Sequence, residues 1–284
     1  MSEVLRGGVV VKSIQQQIKL QVAELKAKGI IPTMGIVRVG KRPDDIAYEN
    51  SILKNSQSVG VETEIYEMNE DIPMEEFVPF VKQLNANKAL HGILIFRPLP
   101  TQLDIEVIKH LISPSKDIDC MNPISLGRVF EGMQDGFAPC TPKAVMEILK
   151  YYEIPLMGAD VVIINSSSVV GRPLGMLMLD QKATVTLCHS KTRNLKEVAS
   201  RADIVVAAVG RPAFFDETYF NEASIVIDVG INECKDGKIC GDVDYDNVAD
   251  KVKGISPVPG GVGAVTTAIL VKHVIEACKL QQLK

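Results

Sequence analysis

Short apolar segments alternate with amphipathic helical segments along this chain of 284 residues. In the first helical segment, Ile14, Ile18, Val22 and Leu25 recur every three or four residues, which places them on one face of a helix. A helix between two strands returns the chain to the end of the sheet where it started, so the alternation favours parallel strands covered by helices. The sequence therefore predicts the α/β fold class.

The alternation forms two series, which predict two lobes with a cleft between them. The predicted strands cover residues 34–39, 61–68, 91–96, 160–165, 183–188, 203–209, 224–229 and 252–255. The predicted helices cover residues 9–28, 74–85, 103–111, 143–152, 171–180, 194–200 and 264–280, with a further helix capped by Asp44 or Asp45 that ends at Gly60. Residues 113–141 are expected to form a long loop, and residues 234–250 a hairpin that turns at Lys235-Asp236-Gly237-Lys238.

Composition excludes several classes of function. The net charge of −4 and the pI of about 5.7 argue against a nucleic-acid partner. No apolar run is long enough to span a membrane, and the N-terminus lacks a signal-peptide pattern, so a cytoplasmic protein is expected. The 6 cysteines lack CxxC spacing and are expected to be reduced thiols, and the 4 histidines are dispersed, so no metal site is predicted.

One strand-to-helix turn is suited to a phosphate. Apolar residues ending at Ile164 lead into a polar turn from Asn165 and then into a helix near Gly171 and Pro173. Backbone N–H groups and the positive end of a helix meet at such a place. Because the GxGxxG fingerprint is absent, the pattern alone leaves both a phosphate site and an ordinary turn open.

Several short motifs resemble one family when they are read in order. They are Tyr48 on its helix; Gly92-Ile93-Leu94 with Pro98-Leu99-Pro100; Lys116-Asp117-Ile118-Asp119; Pro139-Cys140-Thr141-Pro142; Val170-Gly171-Arg172-Pro173; Cys188-His189-Ser190-Lys191-Thr192; Asp228-Val229-Gly230-Ile231-Asn232; and Pro257-Val258-Pro259-Gly260-Gly261-Val262-Gly263. Together they resemble the methylenetetrahydrofolate dehydrogenase/cyclohydrolase family from end to end.

The resemblance implies two domains and two reactions. Residues 1–142, with residues 264–284 returning, would form a folate-binding domain, and residues 143–263 a Rossmann domain that binds NAD or NADP and forms a homodimer. Members of the family oxidise 5,10-methylenetetrahydrofolate by hydride transfer to nicotinamide. Most members then hydrolyse the methenyl product to 10-formyltetrahydrofolate.

The resemblance also assigns site residues. Tyr48 would stack on the folate and Asp119 would accept hydrogen bonds from its pterin, whereas Lys116 and Asp117 are expected to be structural. The remaining substrate-binding positions would be Phe96, Pro259, Gly260, Gly261, Val262 and Gly263. The cofactor-binding positions would be Asn165, Ser166, Ser167, Val170, Gly171, Arg172, Pro173, Ser190, Lys191, Gly210 and Ile231.

Two positions depart from the family pattern where the second reaction would occur. The family places a catalytic lysine four residues after the tyrosine, and a glutamine that hydrogen-bonds it before the Pro-Leu-Pro segment. This chain has Ile52 and Phe96 there. Replacing both the lysine and the glutamine with apolar residues avoids leaving one buried polar group without a partner. We expect the dehydrogenase to be kept and the cyclohydrolase to be weak or lost. The alternative is a fully bifunctional enzyme in which Arg97, Lys54 or a nearby group replaces the lysine.

The cofactor is expected to be NAD rather than NADP. Members that use NADP often carry an arginine at the position of Ser166 or Ser190, and a guanidinium suits a 2′-phosphate. No acidic residue ends the second Rossmann strand to hold a ribose hydroxyl, and Lys191 or Arg193 could reach a phosphate. NADP therefore stays an alternative.

Two rival functions stay open. A folate or nucleotide sensor without catalytic activity would explain the absent lysine but not the set of loop motifs. A two-lobed dehydrogenase of the shikimate or amino-acid type would need a Lys/Asp pair that the first lobe does not offer in the expected place.

Overall fold

The computed structural model describes residues 2–133, 135–234 and 237–282. In chain order the elements are β1 (Glu3–Val4), α1 (Gly7–Ala27), β2 (Thr33–Val39), α2 (Pro43–Val59), β3 (Glu62–Met68), α3 (Met74–Ala86), β4 (Gly92–Ile95), α4 (Ile105–Ile108), α5 (Pro123–Phe130), α6 (Cys140–Tyr151), β5 (Asp160–Ile164), α7 (Gly171–Asp180), β6 (Thr184–Cys188), α8 (Leu195–Ala199), β7 (Ile204–Ala207), a 3-10 turn (Glu217–Tyr219), β8 (Ile225–Asp228), β9 (Asn232–Glu233), β10 (Ile239–Cys240), α9 (Tyr245–Val248), β11 (Gly254–Ile255) and α10 (Val262–Gln282).

The chain divides into two compact units. We name the two units after the ligands that the resemblance predicts for them. The substrate unit is formed by Ser13–Cys140 and the residues from Thr267 onward, and the nucleotide unit by the residues up to Lys12 and Thr141–Thr266. The expected domains placed all of residues 1–142 together. The structure instead puts the first residues in the nucleotide unit, because β1 pairs with β11 in its sheet.

The substrate unit contains a three-stranded parallel sheet in the order β3-β2-β4. The register pairs Ile36 of β2 with Ile65 of β3 and Leu94 of β4. All residues of β2 are buried, as expected for a central strand with both faces covered. An apolar core includes Val37, Phe77 and Ile93.

The nucleotide unit contains a six-stranded parallel sheet in the order β1-β11-β8-β7-β5-β6. The order reverses at β5, which lies between β6 and β7, so the carboxyl ends of these three strands form a switch point. The predicted α/β class is confirmed.

Two local predictions are wrong. The expected long loop contains α5, which begins at Pro123 after Asn122, whose side chain accepts a hydrogen bond from the N–H of Ile124. An Asn cap followed by proline is a strong helix start, so the signal was present in the sequence. Asp44 and Asp45 do not cap α2, because Pro43 already begins the helix and places both in its first turn.

The expectation of six reduced thiols is also wrong. A hairpin is present, because β9 and β10 pair antiparallel, but its strands are Asn232–Glu233 and Ile239–Cys240, and Tyr245–Val248 within the predicted range forms α9. Cys234 and Cys240 form a disulfide across the hairpin. The pairing of Asn232 with Cys240 brings the two cysteine Cα atoms to 6.0 Å, a separation that sequence spacing does not reveal. Lys235 and Asp236 of the predicted turn lie outside the described residues. The other four cysteines are buried free thiols.

Within the described ranges, no helix has the length and apolar character needed to cross a membrane. The described residues likewise include no cluster of three or more His, Cys, Asp or Glu side chains that could hold a metal ion.

Candidate active site and nucleotide cavity

Helix α2 places Tyr48 beside Phe96 in the substrate unit. Their ring centroids are 5.4 Å apart with an interplanar angle of 37°. Phe96 is buried, whereas Tyr48 is 37% exposed and so presents part of its ring to a ligand. The buried Arg38 of β2 donates to Glu49, the residue after Tyr48, at 2.9 Å and ties α2 to the sheet. Two predicted site residues therefore form an aromatic pair.

Ile52 lies one turn after Tyr48 on the same face of α2 and is completely buried. Lys54 is exposed on another side of the helix, as its position six residues from Tyr48 predicts. An amine at Lys54 therefore does not share the face on which Tyr48 and Ile52 lie.

Both carboxylate oxygens of Asp119 accept hydrogen bonds within the substrate unit. Its Oδ2 accepts a hydrogen bond from Arg97 Nη2 at 2.9 Å, and its Oδ1 accepts one from the backbone N–H of Cys140 at 3.4 Å. Burial raises the pKa of the Tyr48 hydroxyl, and the neighbouring Cys140 and Asp119 raise this pKa further, whereas Arg97 lowers it. Tyr48, Phe96, Arg97 and Asp119 thus form one cluster.

Lys116 and Asp117 have structural partners. Lys116 Nζ donates to the carbonyl oxygens of Asn85 at 2.9 Å and Asn87 at 2.6 Å. The carboxylate of Asp117 accepts the backbone N–H groups of Met121 and Asn122, each at 2.8 Å. These bonds hold the segment that leads into α5 and keep Asp119 in place.

A cavity of about 520 Å³ opens at the carboxyl ends of β5, β6 and β7 in the nucleotide unit. Its lining residues come from the last residues of β5 and β6 and from the segments that follow the three strands. They are Ile164, Asn165, Ser166, Ser167, Cys188, His189, Ser190, Thr192, Leu195, Ala208, Val209, Arg211, Phe214 and Phe215. The volume and the position at the switch point both suit a nucleotide. We call this the nucleotide cavity.

The turn after β5 is organised by the side chain of Asn165. Its Oδ1 accepts the backbone N–H groups of Ser167 at 2.8 Å and Gly171 at 2.9 Å, and its Nδ2 donates to the carbonyl of Ala208 at 2.6 Å. The backbone N–H groups of Ser167 and Gly171, which the sequence suggested as phosphate donors, therefore already donate to the Asn165 side chain. A dinucleotide still fits the donor set, because Ser166, Ser190 and Arg211 supply hydroxyl and guanidinium donors around the cavity.

A second cavity of about 170 Å³ contains the glycine-rich loop of the nucleotide unit. Its lining residues are Asp228, Val229, Gly230, Ile231, Ile239, Pro257, Val258, Pro259, Gly260, Gly261, Val262, Gly263 and Ala264. Gly7 donates its N–H to the carbonyl of Gly260 at 2.8 Å, and a Cβ at Gly7 would lie 2.2 Å from the Gly261 oxygen. Gly7, the first residue of α1, thus packs against this loop and holds it in place. We call it the glycine-loop cavity.

Two buried carboxylates that were not among the predicted site residues support both cavities. Asp228 accepts the backbone N–H groups of Gly230, Asp242 and Val243 at 2.9 to 3.0 Å. Asp242 in turn accepts the N–H groups of Gly210 at 3.1 Å and Arg211 at 2.8 Å. Burial raises the pKa of Asp228 to about 6, and the adjacent Asp242 adds to this, although the backbone N–H groups oppose it. Only the fold brings Asp242 to these loops.

The structure divides the predicted cofactor-binding residues. Asn165, Ser166, Ser167 and Ser190 line the nucleotide cavity. Ile231 instead lines the glycine-loop cavity, together with the predicted substrate-binding residues 259–263. The other predicted residues, Val170, Gly171, Arg172, Pro173, Lys191 and Gly210, are not among the residues that line either cavity. Arg211 and Phe214 were missed, because a loop arginine and phenylalanine carry no signal without the cavity.

Both units match known proteins of a single family. Residues 5–119 match the tetrahydrofolate dehydrogenase/cyclohydrolase catalytic domain, and residues 139–282 match the tetrahydrofolate dehydrogenase/cyclohydrolase NAD(P)-binding domain. The bifunctional protein FolD 1 of Desulfitobacterium hafniense is 57% identical over 281 residues, which cover 99% of this chain and 100% of the relative.

Solved structures of the same family are also similar to this chain over nearly its whole length. The bifunctional FolD methylenetetrahydrofolate dehydrogenase/cyclohydrolase of Campylobacter jejuni has a TM-score of 0.97 at 38% identity and covers 99% of this chain and 100% of its own. The Trypanosoma brucei dehydrogenase-cyclohydrolase, solved with NADP and an inhibitor, has a TM-score of 0.93 at 31% identity and covers 100% of this chain and 99% of its own.

These relatives bear the name of a bifunctional enzyme, so the comparisons do not confirm the expectation of a weak or lost cyclohydrolase and favour its alternative. The family itself is shown by matches that include both units and nearly the whole length. The chain belongs to the tetrahydrofolate dehydrogenase/cyclohydrolase family.

Proposed function

We propose that this protein oxidises 5,10-methylenetetrahydrofolate to 5,10-methenyltetrahydrofolate with NAD(P)+. The observation that carries the proposal is the cluster of Tyr48, Phe96 and Asp119 in the substrate unit, which combines an aromatic surface with a carboxylate. A pterin offers a flat ring for the first and paired N–H donors for the second. The nucleotide cavity in the other unit supports a dinucleotide as the second reactant.

The protein contributes to this reaction mainly by aligning the folate with the nicotinamide. The nicotinamide, when bound, accepts the hydride from the methylene bridge. The tyrosine ring orients the folate by stacking, and Asp119 fixes its rotation by accepting two N–H donors. Gly260, Gly261 and Gly263 line the glycine-loop cavity and carry no Cβ that would hold a ligand there away from the backbone.

The dehydrogenase is tested by following the absorbance of reduced nicotinamide when purified protein meets methylenetetrahydrofolate and NAD+ or NADP+. Turnover that falls at least about hundredfold in Asp119→Ala, with the fold retained, is expected for a lost orienting carboxylate. An inactive wild-type protein that binds neither reactant would reject the proposal.

Hydrolysis of the methenyl product is the second candidate activity. The names of the relatives favour it. In this chain, however, the position of the family lysine is the buried Ile52, and that of the glutamine is the buried Phe96. Arg97 does not supply a base, since a guanidinium stays protonated in proteins and this one is paired with Asp119. Lys54 is exposed away from the Tyr48 face.

One measurement separates the two candidates. Purified protein is given methenyltetrahydrofolate in a buffer where spontaneous hydrolysis is slow, and the rate with enzyme is compared with the rate without it. A rate no greater than the spontaneous one supports an enzyme limited to hydride transfer. Turnover that depends on enzyme concentration supports the bifunctional assignment.

We infer a preference for NAD from the residues of the nucleotide cavity. Ser166 and Ser190 line it where NADP-using members often carry arginine. Lys191 and Arg193, the other cations considered for a 2′-phosphate, are not among its lining residues. Arg211 does line the cavity, and its guanidinium carbon lies 5.2 Å from the centroid of the Phe214 ring. The ratio of kcat/KM for NAD+ and NADP+ tests this inference, and a large ratio in favour of NADP+ would reverse it.

We also propose a homodimer formed through the nucleotide unit. β6 is the last strand of the six-stranded sheet, and its residues Thr186 and Leu187 are exposed. An exposed edge strand offers backbone groups that a second copy can pair with. Light scattering on the purified protein gives the molecular mass: twice 31.0 kDa is expected, and a value of 31.0 kDa would reject the dimer.

A further inference from the structure

Arg97 lies two residues after the end of β4 and forms the ion pair with Asp119 described above. Both side chains are partly buried, with exposed fractions of 30% for Arg97 and 28% for Asp119. Charge-assisted bonds of this kind are stronger than neutral ones, and a guanidinium gives them a fixed direction. The position therefore does more than contribute a solvated surface charge.

The bonds to Asp119 leave room for a ligand. A carboxylate has about four acceptor positions, two on each oxygen. Arg97 occupies one position on Oδ2 and the Cys140 N–H occupies one on Oδ1. These two bonds leave one position on each oxygen for a pair of parallel donors, because the neighbouring Cys140 thiol has the carbonyl oxygen of Ile118 as an acceptor at 3.5 Å. Arg97 thus holds the carboxylate from one side without blocking it.

We propose that Arg97 is a positioning residue for the substrate: it holds the Asp119 carboxylate in the orientation that receives the paired N–H donors of the pterin. The proposal rests on the proposed function, since it acts through the pterin contact of Asp119. Arg97 takes no part in moving the hydride or a proton. Its effect is on folate binding, and the nucleotide cavity lies in the other unit and does not include it.

The guanidinium also sets the charge of the site. Without it, the partly buried Asp119 carboxylate would lose its ion-pair partner and keep the backbone N–H and the thiol of Cys140, which are both uncharged. Its side chain would then be free to turn toward water. Lysine at this position keeps the charge but not the planar geometry, so it restores the orientation only in part.

The test is a double-mutant cycle on the full chain with Arg97→Leu, Asp119→Asn and the double variant, together with Arg97→Lys. Each protein is assayed for KM and kcat with methylenetetrahydrofolate, for KM of the nucleotide, for tetrahydrofolate Kd by calorimetry and for melting temperature. Arg42→Leu is the matched control. Arg42 is an arginine of the same unit whose side chain is 48% exposed and whose Nε lies 3.9 Å from Asp45 Oδ2, so it also pairs with an aspartate.

We expect Arg97→Leu to raise the KM for methylenetetrahydrofolate and the tetrahydrofolate Kd about tenfold, with kcat changed by less than about twofold and the nucleotide KM unchanged. Arg97→Lys should recover part of the loss. When Asp119→Asn is already present, Arg97→Leu should have no further effect, because the group through which it acts is gone. Arg42→Leu should resemble the wild type.

Three outcomes would overturn the proposal: an Arg97→Leu effect that adds fully to that of Asp119→Asn, a fall in kcat with KM unchanged, or an unchanged tetrahydrofolate Kd. Wild-type protein that binds tetrahydrofolate but does not turn over would reject the proposed function alone, because the Kd cycle still measures Arg97. Wild-type protein that does not bind tetrahydrofolate would reject both.

Discussion

The side-chain oxygen of Asn165 accepts a hydrogen bond from the backbone N–H of Gly171 at 2.9 Å, across the turn that joins β5 to α7. Position 171 requires glycine, since a Cβ there would lie 2.0 Å from the Asn165 carbonyl oxygen. The same side chain reaches Ala208 after β7. The turn is therefore held in shape by the protein and does not depend on a bound phosphate.

Asn165→Ala should weaken nucleotide binding. The variant removes the acceptor for two N–H groups and the donor to Ala208, so the turn loses its fixed shape. We expect the nucleotide KM to rise about tenfold and kcat to change little. Asn247→Ala, which removes an exposed asparagine bonded to Asp244, is the control. An unchanged nucleotide KM in Asn165→Ala would contradict this role.

Ser166→Arg should shift the cofactor preference toward NADP. Ser166 lines the nucleotide cavity, and an arginine there can form paired bonds with a 2′-phosphate. The ratio of kcat/KM for NADP+ to that for NAD+ should rise at least about tenfold. Lys191→Gln, which changes a cation outside the lining residues, should leave the ratio as it is. A shift in Lys191→Gln alone would instead assign the phosphate contact to that lysine.

Ile52→Lys combined with Phe96→Gln should create or strengthen methenyltetrahydrofolate hydrolysis. Burial at position 52 favours the neutral amine, the form that accepts a proton, and a glutamine at position 96 offers it a hydrogen bond. We expect hydrolysis at least about tenfold faster than in the wild type.

The single variant Ile52→Lys should melt at a lower temperature than the double variant, because its buried amine lacks a partner. Lys54→Met, at an exposed position on the same helix, should leave hydrolysis unchanged. Equal hydrolysis by the wild type and the double variant would show that another group already performs this step.

Stability should fall as pH rises through the titration of Asp228. Because burial raises the pKa of Asp228 to about 6, against an ordinary value of 3.8, the folded protein binds the proton more tightly than the unfolded chain does. The contribution is complete below about pH 4 and is lost as pH rises through about 6, with an amplitude of about 3 kcal/mol.

Urea unfolding at pH 4 to 8 measures this slope for the wild type and for Asp228→Asn. The variant should have a flatter pH dependence in the window between pH 4 and 6, because the titrating group is gone. It should also be less stable at low pH, since its amide nitrogen would face the N–H of Val243, which now donates to Asp228 Oδ2. A parallel pH dependence in both proteins would assign the slope to other groups.

The sequence predicted most of the elements because their signals are local. The apolar periodicity of α1 and the short apolar runs of β5 and β8 depend on neighbouring residues only, and their bounds agree with the structure within a few residues. The assignment of Tyr48 and Phe96 to the substrate site followed from the family pattern. The start of α5 at Asn122 and Pro123 was local as well, so this helix could have been predicted.

Tertiary structure alone decided the electrostatics of the site. The partners of Asp119 are Arg97, 22 residues before it, and Cys140, 21 residues after it. Asp242 reaches the Val209–Arg211 loop across 31 residues or more of chain, and the disulfide needs the pairing of β9 with β10.

Periodicity therefore determined which residues form helices and strands, because backbone hydrogen bonds and the burial of one face act over a few residues. The orientation of a carboxylate, the shape of the turn at Asn165 and the pairing of two thiols depend on where distant segments meet. No local pattern contains that information, since each of these side chains would be equally acceptable in a solvated loop.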